Sequence, residues 1–255
     1  MSQQISIGIK SIKRGPIPDD GTMGTVLSIL GDTYKDSASF KENKATVFNV
    51  QVEETDDPIY QFFTKSPKIL AFALVDFTPA TIKLVKGGTV VAGVWQEPDN
   101  AVKIEEAYQV ISQTDLLIEI PRGSVSAYFN ADLKKGAAAL INMEVTPLKP
   151  NGAGVPAINI SKYMPPVVNA GADQPALAAA SGSVTGTATA YRGAIVSKLW
   201  TVDTQPVGAT TVLATPTALT TAVTGLALGI TKLRLTVTDE NDYSNSALVT
   251  LTRTS

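Results

Sequence analysis

A predominantly β chain in two domains, a sandwich or barrel with one short helix and then a second β-sandwich, is predicted by three features. Most apolar residues recur with period two, as in strands that present one face to a core. One stretch alone combines helical spacing with cap residues at both ends. Polarity also shifts: residues 1–161 hold 15 Lys and Arg and 18 Asp and Glu, whereas residues 162–255 hold 6 and 5 and are rich in Thr, Ala, Val and Ser.

Taken in order, residues 4–13 read as a strand in which Ile5, Ile7 and Ile9 alternate with Ser6, Gly8 and Lys10. Residues 15–24, GPIPDDGTMG, form a turn-rich loop, and residues 25–30 a second strand. Residues 31–44, GDTYKDSASFKENK, are polar and long for a hairpin connection, which suits a contact loop. In residues 45–54, ATVFNVQVEE, Phe48, Val50 and Val52 point one way and Val47, Asn49, Gln51 and Glu53 the other, so one face is expected on a core. TDDP at residues 55–58 starts a turn, and residues 59–63 are apolar enough to pack beneath it.

The helix falls in residues 70–91, LAFALVDFTPATIKLVKGGTVV. Leu70, Phe72 and Leu74 alternate with Ala71, Ala73 and Val75, the near-continuous apolar run of a strand covered on both faces. Thr78 offers an N-cap hydroxyl, and Pro79 takes the first helical position, where its missing N–H costs nothing. Ile82 and Val85, with Leu84 beside them, make a short apolar stripe, and Gly87 and Gly88 stop the helix. Such a lone helix is expected to plug one open end of the domain.

Residues 95–100 read as a loop, followed by strands at 103–112, 116–120, 124–130 and 140–148. Most carry a polar front: Lys103, Glu105 and Gln109; Ser124, Ser126 and Asn130; Asn142, Glu144 and Thr146. Such a front suits bulk solvent, a partner sheet or an aqueous channel. Prolines 147, 150, 156, 165 and 166 mark a linker, giving domains at 1–150 and 166–255 joined through 151–165.

The composition narrows the function classes. A net charge of −2 argues against a broad basic face for nucleic acid. With neither cysteine nor histidine, disulfides, thiolate nucleophiles, imidazole bases and the common zinc sites are excluded. No run approaches the roughly 18 apolar residues of a membrane span, and MSQQISIGIKSIKRG holds no secretory apolar region, so cytoplasmic assembly is expected. Glu53, Glu54, Asp56 and Asp57, and separately Asp173, Asp239 and Asp242, read as turn acids rather than carboxylate pairs or calcium sites. No catalytic site, metal site or cofactor is expected.

Two resemblances sharpen this reading. EETDDPI, then VDFTPATIKLVKGGTV, a tryptophan loop, a strand ending EIPRG and a closing EVTPLKP follow the order found in tail tube proteins of long-tailed bacteriophages. Residues 1–150 therefore resemble that family, with a modest loop at 31–44 where many members have longer ones. PPVVNAGADQPAL, SGSVTGTATA, IVSKLWTVD and GLALGITKLRLTVTDENDYSNSALVTLT resemble a PKD-type, immunoglobulin-like domain, with Leu199, Trp200, Leu233, Leu235 and Val237 supplying much of its core.

The resemblance implies a virion structural protein: a major tail tube subunit in stacked sixfold rings, assembled in the host cytoplasm. DNA would pass through the lumen without sequence-specific binding, and tape-measure and tail-terminator proteins would be the other partners. A projecting second domain leans this towards a noncontractile tail. Lumen candidates are Asn49, Gln51, Glu53, Glu105, Asn142 and Glu144; ring-stacking candidates are Asp32, Tyr34, Lys35, Phe40, Lys41 and Glu42, with the 1–15 arm. The alternative is a surface or secreted adhesin, which exposed aromatic side chains on a flat sheet would favour.

Overall fold

The computed structural model describes residues 8–131 and 134–255, which divide into two compact units meeting after Lys162. Both are built almost wholly of strands. In the first unit these are β1 (Ile9–Gly15), β2 (Ser28–Ile29), β3 (Ser39–Glu42), β4 (Val47–Val52), β5 (Thr55–Phe63) and β6 (Lys68–Leu74). Helix α1 (Pro79–Lys86) follows, then β7 (Thr89–Val91), β8 (Val94–Gln96), β9 (Ile104–Ser112), β10 (Leu116–Ala131), β11 (Ala139–Pro147) and β12 (Asn159–Lys162).

The main sheet runs β2-β1-β9-β10-β11-β6-β3, with β12 on the first part of β10. Its two edges are held together. Leu30 N donates to Ile12 O at 3.4 Å, while Thr33 pairs with Leu74 and Tyr34 N donates to Ala73 O at 2.7 Å. Three residues reach at most ~11 Å, whereas a flat sheet would separate these edges by roughly 29 Å. The sheet is therefore rolled into a barrel, with residues 30–38 crossing its seam. Inside lie Ile12, Leu70, Phe72, Leu74, Tyr108, Val110, Ile118, Ile120, Ile141, Met143 and Val145.

Helix α1 has the expected caps: Thr78 Oγ1 accepts from Thr81 N at 3.3 Å, and Gly87 has φ 77°. Ile82 and Val85 join the barrel core with Thr81 buried beside them, while Leu84, two residues on from Ile82, falls on the opposite side of the helix and is exposed. The other end of the interior opens into a cleft of about 880 Å³ whose walls include Ile12, Phe40, Leu70, Val110 and Ile118.

Several segments depart from the sequence reading, three of them in the main sheet and around the helix. The two strands expected at 116–120 and 124–130 are one, β10, bent by a register shift between Ile120 and Gly123 around Pro121 and Arg122. Trp95 belongs to β8 rather than to a loop. The stretch read as linker contributes β12 to the main sheet, its residues pairing with 116–119.

The second unit comprises β13 (Val167–Asn169), β14 (Gln174–Leu177), β15 (Ser181–Thr185), β16 (Thr187–Thr189), β17 (Ile195–Thr204), β18 (Val212–Leu213), β19 (Thr220–Thr224), β20 (Gly229–Asp239) and β21 (Ser244–Arg253). Sheets β14-β21-β20-β17 and β15-β19-β18 enclose Trp200, Val184, Val223, Leu233, Leu235, Val249 and Leu251, and β13 pairs with β16. Leu199 is exposed at 43%, because consecutive strand residues face opposite ways and Trp200 takes the inner side. Gly186 packs so close that a Cβ there would lie 2.4 Å from Leu235 Cδ2 and 2.9 Å from Asn169 O. In a Trp95→Phe background, Gly186→Ala is expected to cost about 1–3 kcal/mol, read by urea unfolding on Trp200 fluorescence.

Candidate functional site

The most unusual feature is the β4–β5 hairpin. Its pairs Val47–Phe63, Phe48–Phe62, Asn49–Gln61 and Val50–Tyr60 keep the register of the β3–β6 pairs Phe40–Leu70 and Glu42–Lys68. The two hairpins are thus one antiparallel ribbon, interrupted at residues 43–46 and 64–67, where Pro67 supplies no N–H for the ladder. Asn43 N still reaches Pro67 O at 3.3 Å, and Thr64 N reaches Thr46 O at 3.1 Å. From residue 43 to its turn the outer ribbon spans ~33 Å.

Cross-strand partners share a face. Phe48, Val50, Tyr60 and Phe62 therefore lie together on one side of the ribbon, and Asn49 and Gln61 on the other, with Val47 and Phe63 nearer its base. The division of β4 into an apolar and a polar face is as the alternation predicts, but among the described residues no core covers the apolar face. Phe48 is 65% exposed, Tyr60 65% and Phe62 57%, with the Tyr60 and Phe62 rings 6.3 Å apart. Residues 59–63, expected to pack beneath a TDDP turn, instead belong to the exposed β5, whose strand begins at Thr55; the turn is at Glu53 and Glu54. Glu53, Glu54, Asp56 and Asp57 crowd this tip, and residues 47–63 contain no Lys or Arg.

The lumen candidates separate into two groups. Glu105 lies opposite Ser124, Glu144 opposite Ser126 and Asn142 opposite Tyr128, so these three share one face of the main sheet with Thr146. Asn49, Gln51 and Glu53 belong to the ribbon and its turn, which is a separate sheet. Gln109, read as part of the polar front, is only 3% exposed.

Among the stacking candidates, Asp32, Tyr34 and Lys35 are exposed on the seam crossing, and Lys41 and Glu42 are exposed on β3, with Glu42 paired to Lys68. Phe40 is a correction: paired with Leu70, it turns towards the barrel core and offers little to a neighbour. The polar loop expected at 31–44 contains β3. Of the proposed arm, residues 9–15 form β1 within the sheet, and residues 1–7 lie outside the described residues.

The polar sheet face is held by charge. Arg122 Nε donates to Glu105 Oε2 at 2.8 Å, and Arg122 Nη1 donates to Asn151 Oδ1 at 2.8 Å. Lys103 and Arg122 together hold the Glu105 carboxyl below its ordinary value. Neighbouring Glu106 points the other way, towards Arg14 and Tyr108, and burial raises it despite the Arg14 guanidinium. In the second unit, Asp239 accepts from Asn241 N, Tyr243 N and Tyr163 Oη at 2.9–3.0 Å, so its oxygens serve a turn. Asp173 Oδ1 accepts from Thr250 N at 2.7 Å, and Asp242 takes φ 61° in its turn. No exposed large apolar residue of the second unit is aromatic.

Glu105 contributes stability that is present above its unfolded pKa and lost as pH falls through the depressed folded value. Glu106 does the reverse, since the folded state holds its proton more tightly and stability rises as pH falls through the raised value. Carboxyl carbon NMR titration is expected to place the two midpoints on opposite sides of 4.5.

No family model matches the chain, and no curated protein does. Among solved structures it is similar to the solution structure of the PKD domain from KIAA 1837 protein, at 27% identity over 34% of this chain and 87% of that one, with a TM-score of 0.30.

Proposed function

We propose that this chain is a self-assembling structural subunit, a tail tube protein whose second unit is a PKD-type decoration. The observation that carries the reading is the ribbon: an amphipathic two-stranded element whose apolar face has no cover among the described residues of its own unit. An isolated two-stranded ribbon is marginal in water, and unpaired strand edges invite further pairing. Burial against other copies removes both costs. Assembly into stacked sixfold rings, which the resemblance of residues 1–150 to tail tube proteins implies, supplies those copies.

In this reading Glu105, Asn142 and Glu144, with Ser124, Ser126 and Thr146, face the lumen. On this wall Lys103 and Arg122 are paired with Glu105 and Glu144 adds a negative charge, so cations available to lock onto phosphates are few and DNA slides. The ribbon residues Asn49, Gln51 and Glu53 are reassigned to contacts between subunits. Tape-measure and tail-terminator proteins remain the expected partners, and the virion tail the location. The exposed large apolar residues of the second unit include no aromatic, but Phe48, Tyr60 and Phe62 of the ribbon meet the condition that favours the adhesin alternative, so a test of assembly also decides between the two readings.

Negative-stain electron microscopy tests this. The full chain is expected to form rings or tubes, and Phe48→Ser/Phe62→Ser to remain folded but unassembled, since neither side chain belongs to the core. Monodisperse protein in both cases, at every concentration and salt, would count against the subunit reading.

A further inference from the structure

The ribbon and the helix lie at opposite ends of β6: its first residue continues the ribbon and its last leads through residues 75–78 into α1. The adjoining ends of β10 and β11 share the helix end, since Ile141 pairs with Leu74 and Ala131 with Ala139. The β7–β8 hairpin is there too, held by Trp95 Nε1 donating to Gly87 O at 2.8 Å and by Trp95 edge-on to Phe129.

This helix end is apolar and carries lysines. Phe77, Leu84, Val91, Val94 and Phe129 are exposed at 37–61%, and the Phe77 and Phe129 rings lie 5.1 Å apart. Lys83 and Lys86 occupy the last turn of α1, with Lys86 Nζ 4.7 Å above the Phe129 ring, and Lys134 and Lys135 are exposed between β10 and β11. The described acids near this end are Asp76, whose carboxylate accepts from Thr78 N and Thr81 Oγ1, and Glu97 and Asp99 after β8. The ribbon has the opposite character: an apolar face and four tip carboxylates with no cation between residues 47 and 63.

We propose that the occupant of the helix end is the ribbon of a second copy of this chain. The apolar ribbon face lies across Phe77, Leu84 and Phe129, and its acidic tip reaches Lys83 and Lys135. The two surfaces are different, so the contact is head-to-tail and propagates along an axis rather than closing as a twofold dimer. The ribbon offers roughly 400 Å² of aromatic and aliphatic surface, about half of the ~800 Å² per partner in a stable pair. One contact alone is therefore weak, and many copies stacked in register are strong.

This inference rests on the subunit reading, and the test separates the two. The chain has no cysteine, so Phe62→Cys/Leu84→Cys can be crosslinked cleanly under oxidation. A ladder of oligomers is expected from the double variant, and no more than dimers from either single variant. Lys83→Glu/Lys135→Glu and Glu54→Lys/Asp56→Lys are each expected to raise the concentration for half-assembly roughly tenfold with unchanged melting. The chain carrying all four substitutions is expected to recover. Assembly that persists with no ladder and ignores both charge reversals overturns the docking and leaves the subunit reading standing. No assembly and no crosslink at the highest soluble concentration overturns both.

Discussion

The first unit depends on a short crossing. Leu30 bonds to β1 and Thr33 and Tyr34 to β6, two strands that a flat sheet would keep on opposite sides. Tying them together rolls the sheet and so creates an interior for Tyr108, Ile120, Met143 and Leu74. The roll also gives the unit two unlike ends, one plugged by Ile82 and Val85 and one left open at the cleft. Polarity of the whole element follows from that asymmetry, because β6 carries the ribbon at one end and the helix at the other.

Much of this was legible in the sequence, for identifiable reasons. Thr78, Pro79 and Gly87 announced a helix because cap chemistry is local and does not await the fold. The strand around Ile141 followed from period-two alternation, the one around Leu70 from a near-continuous apolar run, and the one around Leu233 from the order of motifs in residues 166–255. Faces were also readable: Phe48 and Val50 do lie opposite Asn49, as alternation requires. What alternation cannot report is whether a core exists for the apolar face to meet, so residues 59–63 were given a cover that the unit does not supply. Leu199 failed for the complementary reason, since Trp200 beside it has the stronger claim on the interior.

The candidate surfaces were only partly readable. Glu105, Asn142 and Glu144 come from strands distant in sequence, and pairing alone brings them to one face. The seam crossing had no signal at all, because residues 30–34 carry no periodicity and their meaning lies in what they join. Phe40 was misread inside a polar stretch, whereas its pairing with Leu70 turns it inward. The linker was misplaced because prolines mark where pairing is discouraged, not where it stops, and residues 159–162 resume it.

The shared register of the ribbon and the barrel wall has a mechanical consequence. A pull along the ribbon would be borne as tension in its two covalent backbones and passed at the base to the bonds that hold β6 to β11. A sideways push would meet less resistance at residues 43–46 and 64–67, where only the Asn43–Pro67 and Thr64–Thr46 bonds join the two strands. The same arm would therefore be stiff in tension and compliant in bending, as a tether that must hold length while its attachment changes angle.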